Sequence, residues 1–177
     1  MTAQETRPSA ETTNPRRIGH VNLSVSDLER SLAFYQDALG MRVTKRLEEA
    51  AFLSFGSYHH DLCINTWQSK GGSPRPQGAT GLYHFAVAFG ELAALQDTSR
   101  RLGAAGIAID DVVDHGVSLS AYLRDPDQNG VELTWDRPAE SWWSAEGALR
   151  MGHRRISLEQ LLAAEGAGLL QGDSRAG

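Results

Sequence analysis

Cysteine is almost absent from this chain of 177 residues: Cys63 stands alone. A single thiol cannot close an internal disulfide, so the expectation is a protein of a reducing compartment. With no basic neighbour in sequence to stabilise a thiolate, Cys63 reads equally as a small packed residue or a reactive one. Long apolar runs are missing too, which excludes a membrane-spanning helix. The opening stretch MTAQETRPSAETTNPRR is polar, so no signal peptide is expected and the cytoplasm is the expected location. An excess of basic charge is also lacking. Net charge is −5, which leaves no stripe for phosphate backbones and makes nucleic acid an unexpected partner.

What is present fits one or at most two compact soluble domains: 41% of residues are apolar and 22% charged. Residues 1–15 are rich in Thr, Pro, Glu and Ala and read as a disordered tail. The domain is expected over 16–138, with residues 139–177 as an extension that ends in a short helix, SLEQLLAAEG, capped by Ser157 and Gln160 and stopped by Gly166. Trp142 and Trp143 in that extension read as packing residues.

Within 16–138 one pattern occurs twice. Val21, Leu23 and Val25 alternate with His20, Asn22 and Ser24, the signature of a half-buried strand headed by a histidine. The next stretch, SDLERSLAFYQDALG, predicts a helix with a Ser26/Glu29 capping box, an apolar stripe and a stop at Gly40. Strands are predicted over 42–47, 51–55 and 60–67. Residues 68–81, rich in Gly and Pro, form a linker. GLYHFAVAF then repeats the opening strand, with Phe85, Val87 and Phe89 opposite His84, Ala86 and Ala88. A helix over 91–102 ends near Gly103 and Gly106, and strands follow near 108–113, 118–124 and 131–135. Two strand–helix–strand–strand–strand modules, about 16–67 and 82–136, each place a histidine at the same point of the first strand.

The second module closes with LRDPDQNGVELTWD, a turn followed by a strand. Val131, Leu133 and Trp135 take the apolar side, so Glu132 and Thr134 share the polar side with the histidines. One strand histidine is ordinarily just a satisfied polar residue. Two from equivalent sites of a repeat, together with one carboxylate, make a facial triad that holds a divalent metal and leaves positions open. The expected metal ligands are therefore His20, His84 and Glu132.

GHVNLSVSDLERSLAFYQDALGM, GLYHFAVAF and LRDPDQNGVELTWDRP resemble the vicinal oxygen chelate superfamily, which includes glyoxalases, bleomycin-resistance proteins and extradiol dioxygenases. The resemblance implies an α+β fold of paired βαβββ modules forming a cup-shaped sheet around one metal, with those three residues as ligands. YHHDLCIN and DHGVSLSAYLRDPDQNGVEL are similar to stretches of the catechol 2,3-dioxygenase-like type I extradiol enzymes. That likeness implies His60, Tyr122 and His115 as catalytic residues and a small aromatic diol as substrate. It also implies Fe(II) as the metal and O2 as cosubstrate; Mn(II), Zn(II), Ni(II) and Co(II) suit the same donor set. Glyoxalase-like members carry a fourth ligand where alternation here puts Leu62, with Asp61 out of phase. A fosfomycin-resistance-type metalloenzyme, and a bleomycin-resistance-like binding protein without catalysis, are the alternatives. Open sheet edges and the Trp142–Trp143 segment point to a homodimer.

Overall fold

In a computed structural model, residues 17–165 are described; the expected tail over 1–15 and the stop at Gly166 lie outside them. The first module runs β1 (Val21–Ser24), α1 (Leu28–Leu32), β2 (Arg42–Arg46), β3 (Ala50–Ser54) and β4 (Leu62–Asn65). The second runs β5 (His84–Phe89), α2 (Leu92–Ala104), β6 (Asp111–Asp114), β7 (Ser118–Arg124) and β8 (Gly130–Asp136). Their strand orders are β1-β4-β3-β2 and β5-β8-β7-β6, the same path traced twice. In each sheet the first strand pairs in parallel with the last, and the others are antiparallel. The fold is thus the expected α+β pairing of βαβββ modules. The extension adds β9 (Arg154–Arg155) beside β6 and α3 (Leu158–Leu162) against α2. No described helix is long and apolar enough to cross a membrane.

Alternation decides which face is buried. Leu23 and Val25, Val131 and Leu133, and Leu119, Ala121 and Leu123 sink into one continuous core with Leu28, Leu32, Leu95 and Leu102 from the helices. Cys63 is buried in β4, and burial pushes its thiol up, which marks a packed residue and not a nucleophile.

The first helix differs from expectation. Its N-cap is Asp27, whose side chain accepts from Arg30 N, and not Ser26. Ser26 is drawn elsewhere: its hydroxyl donates to Asp127 in the other module at 2.6 Å. The helix continues as a π-helical stretch, Ala33–Ala38, which turns Tyr35 into the core. There the Tyr35 hydroxyl donates to Asp125 at 2.7 Å, and Arg30 pairs with Asp127 at 2.7 Å. Asp125 also folds its own turn, accepting from the Asp127 and Asn129 N–H groups. The start of β8 is therefore pinned to the first module.

Two other boundaries move. Gly103 lies inside α2, and the chain turns at Gly106, with φ +74°. β4 begins at Leu62, so His60 sits in the preceding loop and not on the strand. The capping box of α3 is formed as expected by Ser157 and Gln160.

Candidate metal centre

β5 and β8 run side by side with His84 opposite Gly130 and Ala86 opposite Glu132. Gly130 is required there: a Cβ would stand 2.2 Å from the Tyr83 carbonyl oxygen. This close approach lets His84 Nε2 reach Glu132 Oε2 at 2.9 Å. His84 Nδ1 is buried with no hydrogen-bond partner among the described residues. Two ligands each about 2.1 Å from one ion and roughly at right angles lie about 3 Å apart, so this pair has the spacing of neighbouring ligands.

The third expected ligand is on the other wall. His20 lies one residue before β1, exposed, and shares with His84 a cavity of about 570 Å3. Its ring packs against His60, 4.5 Å between centroids. Among the described residues, no three His, Cys, Asp or Glu side chains stand close enough to hold an ion as placed. The structure therefore unites His84 and Glu132 and leaves His20 apart from that pair, exposed at the start of β1 and lining a cavity with His84. The donor types, two imidazoles and a carboxylate, suit a divalent transition metal.

Leu62, expected at the fourth-ligand position of glyoxalase-like members, is buried and lines the same cavity with an apolar side chain. Asp61 also reaches this cavity, against its expected outward direction, but its carboxylate accepts from Ser54 Oγ at 2.8 Å and Phe55 N at 3.0 Å. Ile18, Phe55, Leu82 and Phe85 complete the apolar wall. Trp67 is exposed and lines neither this cavity nor the next.

A second cavity of about 390 Å3 opens on the other side of His84. Tyr122 lines it, directly opposite Glu132 in the β7–β8 register. Burial first, and then the charge of Glu132, push the Tyr122 phenol up to about 12, so it stays protonated. His115, in the β6–β7 turn, sets its Nε2 2.7 Å from the Tyr122 hydroxyl. His84, Glu132, Tyr122 and His115 thus form a row along one sheet.

His60 lies apart from that row. It packs against Phe52 and His59 and lines a separate recess with Thr44 and Lys45. Partial burial, then the neighbouring His20 and His59, hold its imidazole below the ordinary value, so it is neutral at physiological pH.

Sequence reasoning missed the extension's share of the second cavity, His153 and Arg155. They sit in MGHRR, which carries no periodicity, so no signal in the sequence placed them.

The family model described as Glyoxalase/Bleomycin resistance protein/Dioxygenase superfamily matches residues 17–133. The chain is 37% identical over 150 residues to the catechol-2,3-dioxygenase of Bacillus subtilis, covering 84% of this chain and 52% of that protein. It is 33% identical over 120 residues to biphenyl-2,3-diol 1,2-dioxygenase 2 of Rhodococcus globerulus, covering 68% of this chain and 63% of that one. The chain therefore spans between half and two thirds of these two relatives. A lactoylglutathione lyase structure from Agrobacterium tumefaciens superposes with TM-score 0.55 at 26% identity, covering 68% of this chain and 94% of that one.

Proposed function

Because this chain belongs to the glyoxalase/bleomycin resistance protein/dioxygenase superfamily, we propose that it is a metal-dependent extradiol dioxygenase that cleaves the ring of a catechol-type aromatic. The observation that carries this reading is the row His84–Glu132–Tyr122–His115. A carboxylate–imidazole pair with ligand spacing lies beside a protonated phenol that is itself bonded to an imidazole. His20, His84 and Glu132 would hold the ion. When bound there, Fe(II) supplies Lewis-acid and redox chemistry for a vicinal diol and O2; Mn(II), Zn(II), Ni(II) and Co(II) are the alternatives for the same donors.

The chain's own groups account for binding and proton movement. Leu62, Phe55, Leu82 and Phe85 give an aromatic ring an apolar wall and exclude water from one side. Tyr122, held protonated, gives its one hydrogen to His115 Nε2 and offers its oxygen as acceptor to a substrate hydroxyl. His60, neutral and packed against His20, would be a second base acting beside that ligand, from the recess it lines outside both cavities. A homodimer belongs to this reading: β1 and β5 are sheet-edge strands, and Ile18, Phe55 and Leu82 are exposed beside the cavity.

Leu62 weighs against the lyase reading, since a buried leucine cannot serve as a fourth ligand. The deciding experiment is anaerobic loading with each metal, then a panel of catechols with O2, watching for a yellow ring-fission product. Product formation that Glu132→Gln abolishes supports the proposal. Hemithioacetal isomerisation without ring fission, or stoichiometric antibiotic binding by the metal-free protein, would replace it.

A further inference from the structure

We propose that the C-terminal extension is part of the site: Gly152 positions His115 and fixes its imidazole as the Nδ1–H tautomer, leaving Nε2 as acceptor for the Tyr122 hydroxyl. This rests on the reading of Tyr122 and His115 as site residues. The Gly152 carbonyl oxygen lies 2.9 Å from His115 Nδ1. A carbonyl can only accept, so Nδ1 carries the hydrogen of the neutral ring. Nε2, 2.7 Å from the Tyr122 oxygen, is then an acceptor, and the phenol donates to it. Gly152 also grips the main chain: its N–H donates to the His115 carbonyl at 2.8 Å. One residue of the extension thus holds both the ring and the backbone of His115.

The segment that carries Gly152 is firmly attached. β9 pairs Arg154 with Asp114 and Arg155 with Val113, and the Arg154 guanidinium donates to the Asp114 carboxylate at 2.9 Å. On the other side, the β6–β7 turn makes room through Gly116, at φ +78°, where a Cβ would stand 2.2 Å from the Arg150 carbonyl oxygen. Further along, Gln96 Nε2 donates to the carbonyls of Leu161 and Ala164, which docks the end of the extension on α2. His153, the next residue, brings its ring 5.6 Å from that of His115 and lines the same cavity.

The tautomer sets the direction of proton flow. With Nε2 as acceptor, the Tyr122 proton points at His115 and the Tyr122 oxygen offers a lone pair to the cavity. A substrate hydroxyl can then pass its proton to the Tyr122 oxygen while Tyr122 releases its own to His115 Nε2. Two O–H bonds break, one O–H and one N–H form, and the substrate is left as its oxyanion beside an imidazolium held by Gly152. The other tautomer would turn a donor toward Tyr122 and block this transfer.

The test is long-range 1H–15N NMR of the full chain, metal-free and labelled with 15N-histidine. It is run at about pH 8.5, some two units above the ordinary imidazole value. The six histidines are assigned by single substitutions. His115 is expected to show a protonated Nδ1 and an unprotonated Nε2. Gly152→Ala, whose Cβ meets nothing within 4 Å, retains that pattern. Gly152→Pro, which removes the N–H, and Arg154→Ala, which loosens β9, lose it and give mixed tautomers at His115, while His20, His59, His60 and His84 keep their signals. A wild-type His115 protonated at Nε2 would overturn the proposal. So would a His115 pattern unchanged in both Gly152→Pro and Arg154→Ala. If the catechol panel gives no product while His115 shows the expected pattern, the reaction fails and the positioning stands; the reverse result sinks the positioning alone.

Discussion

Replacing Asp114 by asparagine removes one charge from the cluster that ties the extension to the second sheet. Asp114 is 8% exposed and accepts from Arg137 at 3.1 Å, Arg154 at 2.9 Å and the Gly116 N–H at 2.9 Å. Arg154 is 41% exposed, so its pair contributes little. Arg137 decides the magnitude: it is 11% exposed, and its Nε already has no partner among the described residues. Leaving a buried guanidinium without its counter-charge costs about 3–5 kcal/mol. Asparagine keeps one acceptor oxygen, which favours the lower end. For a chain of this size, about 3 kcal/mol lowers Tm by on the order of 10 °C. The pH dependence follows from the Asp114 carboxyl itself. Burial raises its pKa, but Arg154, the Gly116 N–H and Arg137 outweigh this and hold it below the usual carboxylate value. A folded-state value below the unfolded one stabilises above about pH 4 and is lost as pH falls through the folded-state value. Thermal melts of wild type and Asp114→Asn at several pH values should therefore differ most at neutral pH and converge below about pH 4. A difference under about 1 kcal/mol at pH 7, or one that grows in acid, would refute the reasoning.

Two further substitutions probe the site directly. Tyr122→Phe keeps the ring and removes the hydroxyl bonded to His115; turnover of the metal-loaded protein should fall by about 10²–10⁴, with metal affinity unchanged by equilibrium dialysis. Gly130→Ala puts a Cβ 2.2 Å from the Tyr83 carbonyl and 2.9 Å from His84 Cβ; it should push β5 away from β8, separate His84 from Glu132 and weaken metal binding at least tenfold, while retaining the far-ultraviolet circular dichroism of the fold.

The doubled topology was legible because its signals are local. Alternating strands headed by a histidine recur, each followed by a helix and three strands, and both sheets follow the same strand order. Tyr122 came only from the family resemblance, because the turn between β7 and β8 breaks the alternation that would have placed it directly opposite Glu132. Local rules failed where distant groups compete. Ser26 has every mark of a cap, yet Asp127, 101 residues away, takes its hydroxyl, and Asp27 caps the helix in its place. His60 lost its predicted face because β4 starts two residues later, after an irregular loop. Gly152 was beyond sequence reasoning altogether: its place depends on a two-residue pairing of β9 with β6. That pairing is too short to leave a pattern in the chain.

The measurement that bears most directly on the central claim is an anaerobic cobalt titration of wild type beside His20→Ala, His84→Ala and Glu132→Gln. Wild type should bind one ion per chain, and each replacement should weaken binding at least tenfold, His20→Ala included, although that ring now stands apart from the His84–Glu132 pair. Wild-type protein that takes up no cobalt, or His20→Ala that binds it as tightly as wild type, would contradict the shared three-residue centre.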